Sequence, residues 1–301
     1  MLPTALTRTQ RGGNALRARS PLHGTMRRMP DDVYTHGHHE AVLRSHRWRT
    51  AANSAAYLLP HLRPGLHLLD VGCGPGTLTV DLARHVAPGR VVGVDVAADV
   101  VDEARAYSAG AAATSPAVEF VAGDFRGLDL GTFDVVHAHQ VLQHLREPAE
   151  ALAAMAALVR PGGLVAVRDA DYPAMVWAPA DPLLDRWLEV YMAVTRRNGA
   201  DAAAGRRLPA WAHAAGLGDG ARGEVTYTTS TWTYATPEDR AWWGDLWAVR
   251  TERSAFAEQA VAYGVASADE LAAIAAAWRR WAAEPDAVWV VLHGELVARL
   301  P

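Results

Sequence analysis

The run His67-Leu-Leu-Asp-Val-Gly-Cys-Gly-Pro-Gly-Thr77 limits the fold more than any other part of this chain: an apolar strand closes on an acid and meets glycines at 72, 74 and 76, and a helical pattern follows at once. Alternate glycines admit backbone conformations closed to other residues and let a ligand approach the main chain, while the next helix offers unpaired N–H groups. Asp70, at the carboxyl end of the strand, points an acceptor at the same crevice, so the segment is a cofactor loop. The dinucleotide fingerprint needs a third glycine three positions after the second. Thr77 stands there, which argues against NAD or FAD.

Four more strand ends follow. Val91-Val-Gly-Val-Asp95 is a second buried strand ending in an acid, 19 residues after Gly76, where nucleotide folds take both ribose hydroxyls. Val121-Ala-Gly-Asp-Phe125 is the third, Phe133-Asp-Val-Val-His-Ala-His-Gln140 with Val141-Leu-Gln-His-Leu145 the fourth, and Leu158-Val-Arg-Pro-Gly-Gly-Leu-Val-Ala-Val167 the fifth. Helical patterns at 76–86 and 98–108 separate the early strands. Pro148 opens another helix, with Leu152, Met155 and Val159 on its buried stripe and Pro161-Gly-Gly163 as its stop. Ahead of the first strand, Trp48, Ala51, Ala52, Ala55, Ala56 and Leu59 predict a helix from Glu40 to Leu59, stopped by Pro60. Such alternation predicts an α/β, doubly wound sheet with helices on both faces and ligands at the carboxyl ends of its strands.

These five ordered strand ends, within about a hundred residues, resemble the signature of class I S-adenosylmethionine (SAM) methyltransferases. The resemblance covers roughly residues 31 to 216 and is closest to the small-molecule, quinone-biosynthesis (ubiquinone/menaquinone, type 11) branch. It implies a Rossmann-like, seven-stranded, mostly parallel sheet whose last two strands form an antiparallel edge pair. Residues 222–234 and 287–299 read as that pair, and the Ala- and Trp-rich stretch 237–284 between them as a helical insertion before the last strand. The expected organisation is an N-terminal extension over 1–30, a cofactor-binding core over 31–175 and a substrate-side region over 176–301.

The resemblance also implies cofactor contacts. The loop residues Gly72, Cys73 and Gly74 take the methionine end of SAM with Asp70. Asp95 and Val96 lie at the ribose, Gly123, Asp124 and Phe125 at the adenine, and His139 and Gln140 complete the set. Tyr34 or His36 is expected to touch the cofactor, and Arg49 and Asn53, one helical turn apart, to face its carboxylate. Methyl transfer from a sulfonium needs alignment in a dry pocket, and a base where the acceptor carries a proton. His144 is the first choice as base because an ordinary imidazole titrates near neutrality, with His139 and Asp171 as further candidates. Ten of the eleven tryptophans follow residue 170, which suggests an aromatic acceptor pocket drawing on Tyr172, Trp177, Trp243 and Trp247.

Composition narrows the function. Six of the 29 basic residues, all arginine, fall in residues 1–30 with no acid, leaving 23 against 33 acids in the body. That acidic body argues against a nucleic-acid substrate. The fourth strand end also lacks the Asn/Asp-Pro-Pro-aromatic run of the DNA and protein-glutamine enzymes. One cysteine excludes a disulfide framework and a thiol metal cluster, and no apolar run reaches the length of a membrane span. His36, His38 and His39 lack the spacing of a metal site, so no metal is expected. The extension is expected to be disordered, with Met26 or Met29 as alternative starts, and the protein to be cytoplasmic. The expectation is a SAM-dependent methyltransferase acting at O, N or C of a small, partly apolar metabolite. A SAM-binding enzyme of non-methylating chemistry, a non-catalytic SAM binder and a homodimer stay open.

Overall fold

A computed structural model describes residues 35, 45–111, 115–218 and 223–301; Tyr34, His36, His38, His39 and the 1–30 extension lie outside the described residues. Strands β1 (Leu68–Val71), β2 (Val91–Asp95), β3 (Glu119–Ala122), β4 (Phe133–His139) and β5 (Val159–Ala170) are parallel, in the order β3-β2-β1-β4-β5. Their buried valines and leucines give them two covered faces, as a parallel sheet demands. The last strand, β8 (Val288–Arg299), runs antiparallel to β5, and β7 (Glu224–Tyr234) pairs antiparallel with β8 from Glu224–Arg299 to Tyr234–Trp289. The strand count is eight rather than seven. The addition is β6 (Val176–Ala178), which pairs with the start of β8 and shares one side of it with β5; three residues are too few to show a strand period in sequence.

Helices α2 (Thr77–Val86), α3 (Ala98–Ala111) and α4 (Pro148–Ala157) connect the early strands. Pro161-Gly162-Gly163 does not separate α4 from β5. It lies inside β5 as a register break, Phe133 pairing with Val159 but Val135 with Leu164, so Val159 belongs to the strand and not to the helix stripe. After β6 come α5 (Pro182–Arg197) and α6 (Ala204–Ala214), and the expected insertion is α7 (Pro237–Arg253), α8 (Ala255–Ala262) and α9 (Ala268–Ala283). Its core is aromatic: Trp187, Trp247, Trp278 and Trp289 are fully buried, with ring centroids 4.4–5.9 Å apart.

The expected helix from Glu40 to Leu59 is broken. Residues 45–47 are helical, the chain leaves the helix at Trp48, and α1 (Ala51–Ser54) starts afresh behind Thr50. The cause is local: Thr50 and Asn53 form a reciprocal capping box, the Thr50 hydroxyl accepting from the Asn53 N–H at 3.2 Å and Asn53 Oδ1 from the Thr50 N–H at 2.8 Å. Asn53 is thereby spent on the backbone. The break leaves Trp48 and Arg49 on a short non-helical stretch.

Candidate active site

The glycine loop is fixed before any ligand arrives. Gly72 has φ +68°, and a Cβ there would run into the Val141 side chain; Gly76 has φ +80°, and its Cβ would lie 2.8 Å from the Phe120 ring and 2.9 Å from Ala104. The Gly72 and Cys73 N–H groups donate to the Val94 carbonyl at 2.8 and 3.1 Å, and Gly74 N–H donates to Asp95 Oδ2 at 3.0 Å. Cys73 packs among Val101, Ala104 and Phe120, where burial pushes its thiol pKa up. Asp70 is placed differently from the sequence expectation. Its carboxylate accepts from Thr79 Oγ1 at 2.6 Å and bonds His137 Nδ1 at 2.8 Å, so it braces the underside of the loop rather than the main cleft.

Beyond the loop, the strand ends line a cleft of about 200 Å³. It gathers most of the expected cofactor residues: Gly72, Gly74, Asp95, Val96, Gly123, Asp124, Phe125, His139, Gln140 and Arg49, and His144 with them. Val96 is 74% exposed, an apolar side chain held open beside the acid of β2. Asp124 caps the turn after β3. Its partial burial works to raise the carboxyl pKa, but hydrogen bonds from the Arg126 backbone and guanidinium hold it lower than usual. An acid at the end of β2, another at the end of β3, an apolar wall and glycines at the end of β1 fit an adenosyl group with an amino-acid tail. The acids match its hydroxyls and amine, and Val96 and Phe125 match its ring.

A second, tighter pocket of about 30 Å³ adjoins the first. The two share His46, Arg49, Gln140 and His144 as a common wall. Tyr172, Trp243 and Trp247 line it as expected, and so do Trp48, Trp232, Tyr234 and Trp242, which sequence reasoning did not single out. Trp48 packs on Trp232 at 5.2 Å and on Trp242 at 5.5 Å, closing the side that the helix break leaves open. Two expectations are corrected. Trp177 stacks on Trp289 at 4.6 Å and borders an outer groove with Leu188 and Met192, away from this pocket. Asp171 lines neither cavity: Arg206 clamps both its oxygens at 2.6 and 2.7 Å.

The shared wall is ordered by a relay. Arg49 Nη2 donates to Gln140 Oε1 at 2.6 Å, Gln140 Nε2 meets His293 Nε2 at 2.8 Å, and His293 Nδ1 meets the Val291 carbonyl at 3.2 Å. A carbonyl only accepts, so His293 donates through Nδ1 and accepts from the Gln140 amide through Nε2. Gln140 itself has φ +55°, a strained value for a non-glycine residue. His293, on the final strand, is a member of the site that no motif pointed to.

The histidines are not ordinary bases. Burial, then the positive charges of Arg49 and Arg250, lower His144 to about 3, and burial with Arg49 and Arg168 holds His139 well below its usual value. The near-neutral base expected at His144 is therefore replaced by an imidazole kept neutral. Beneath it, burial raises Asp169 to about 7, against the pull of the Gln143 and Leu142 N–H groups. A carboxyl raised in the fold adds stability below its unfolded pKa, and that contribution disappears as pH rises through about 7. Asp169→Asn should thus flatten the loss of stability between pH 5.5 and 8.5, by on the order of 2 kcal/mol, in urea midpoints taken at both ends.

The comparisons agree with this geometry. Residues 68–163 match the methyltransferase domain family. An uncharacterised methyltransferase of Schizosaccharomyces pombe is 29% identical over 88% of this chain and 95% of its own length. The O-methyltransferase cnsE of Penicillium expansum is 33% identical over 42% of this chain and 45% of its own length. The structure of the YcgJ protein from Bacillus subtilis covers 83% of this chain and 99% of its own, with 15% identity and a TM-score of 0.53, a likeness of fold. With the five strand ends, the glycine loop and the adenosyl-shaped cleft in place, the chain belongs to the class I S-adenosylmethionine-dependent methyltransferases.

Proposed function

We propose that this methyltransferase acts in the cytoplasm on an acidic hydroxyl, such as a phenol or enol, of a small, partly apolar metabolite. The carrying observation is the common wall of His46, Arg49, Gln140 and His144 between an adenosyl-sized cleft and an aromatic pocket. Bound SAM supplies an electrophilic methyl group. Gly72, Gly74, Asp95, Val96, Asp124 and Phe125 hold the cofactor at the strand ends. Trp48, Trp232, Trp243 and Trp247 hold the acceptor edge-on or face-on and exclude water, which favours a transition state in which charge is dispersed.

A histidine at about 3 takes no proton from an ordinary alcohol, so the acceptor has to be acidic enough to lose its own; His144 then orients it. Relatives named as O-methyltransferases, cnsE and the ubiquinone biosynthesis enzyme of Vibrio parahaemolyticus, support oxygen as the accepting atom. The acidic body, 23 basic residues against 33 acids after residue 30, supports a metabolite over a nucleic acid.

Incubation with methyl-labelled SAM and a metabolite extract tests the reading: label is expected in an ether product. No heat of binding with SAM or its demethylated form would overturn it. With the acceptor in hand, Trp243→Ala should raise the acceptor KM about tenfold and leave SAM affinity within about twofold.

A further inference from the structure

One face of the sheet changes character along its strands. At the amino ends of the parallel strands it carries Leu68, Val135 and Leu164, packed under α1 and α2. Two residues farther on, the same face turns polar. Asp70 stands beside His137, and His139, Arg168 and Glu295 are register neighbours across β4, β5 and β8, all buried. Part of this layer is bonded internally: His137 to Asp70 at 2.8 Å, and Arg168 to Glu295 at 3.1 Å and to Ser230 at 3.0 Å.

The rest has no protein partner. Among the described residues, His137 Nε2, both ring nitrogens of His139, Arg168 Nη1 and Tyr57 Oη are buried without a hydrogen bond. Tyr57 packs on the apolar half of this face, and Arg168, Glu295 and Asp70 act electrostatically on its hydroxyl. Five such atoms on β4, β5 and the turn at Tyr57 are too many for a protein interior to leave unsatisfied, because each carries a desolvation cost.

The donor set identifies what satisfies them. Arg168 Nη1 only donates, the tyrosine hydroxyl donates and accepts, and the His139 ring, held neutral by burial beside Arg49 and Arg168, offers one donor and one acceptor. An anion could not donate to the accepting nitrogen of His139 and would face Asp70 and Glu295; a cation would face Arg168. Water alone does both. A small cavity of about 10 Å³ beneath the glycine loop, bounded by Asp70 and His139, adjoins the layer and is about the space one water needs. We propose that the layer is an internal hydration site, its ordered water joining Arg168, Tyr57, His137 and His139, so that the floor of the cofactor cleft rests on a hydrated network.

Tyr57→Phe separates the alternatives by the sign of its effect. It removes one hydroxyl and no packing atom, so the fold survives. If the hydroxyl binds water, the variant melts about 2–4 °C lower. A hydroxyl bonded to nothing leaves the midpoint unchanged or raises it. A high-resolution crystal structure of the full chain should show water within hydrogen-bond reach of Tyr57 Oη, Arg168 Nη1 and His137 Nε2, and the loss or displacement of that water in the variant. A midpoint that does not fall, or a layer without such density, overturns the proposal. Calorimetry of SAM on both proteins reads the cofactor site separately.

Discussion

Arg49→Ala lowers kcat/KM for methyl transfer by about 100-fold, and Arg49→Lys recovers little of it. Arg49 borders the cofactor cleft, the aromatic pocket and the space under the glycine loop. Its guanidinium is held by Gln140 at 2.6 Å, and Gln140 is held in turn by His293. Reaction needs donor and acceptor in line to within a fraction of an ångström, so removing the group between them misaligns both. Lysine keeps the charge but not the planar fork that engages Gln140 while reaching elsewhere. Steady-state kinetics with the identified acceptor is the measurement, and a loss below threefold would remove Arg49 from the site's machinery.

Gly76→Val costs about 3–5 kcal/mol and abolishes the heat of SAM binding at ordinary cofactor concentrations. Two penalties coincide there. A β-branched residue at φ +80° is strained, at about 1–3 kcal/mol, and the new side chain enters space held by Phe120 of β3 and Ala104 of α3, at a similar cost. Domain stabilities are about 5–15 kcal/mol, so the change takes a large share. Urea midpoints measure it. A shift of under about 1 kcal/mol would show that α3 and β3 yield more readily than their packing implies.

The strand ends were legible because each joins a buried apolar run to a glycine or an acid, and that pairing survives without tertiary information. Asp95, Val96, Asp124 and Phe125 were found that way and line one cleft. Trp177 and Asp171 were misplaced for one reason: residue type does not reveal a neighbour, and Trp289 and Arg206 had claimed them. His293, Trp232 and Tyr234 sit on late strands far from any motif, and only the pairing of β7 with β8 brings them to the site. The helix break at Trp48 did carry a signal, Thr50 three residues before Asn53, but the helical spacing of the surrounding alanines masked it.

The stretch 45–50 has one more property. Its His46 carbonyl accepts from Thr77 at the head of α2, its Ser45 receives Arg250 of α7, and its Trp48 leans on Trp232 of β7. Six residues thus span the seam between the nucleotide half and the aromatic half and border both chambers. Because the same short stretch contributes wall to both, a change in its position alters the nucleotide chamber and the aromatic chamber together.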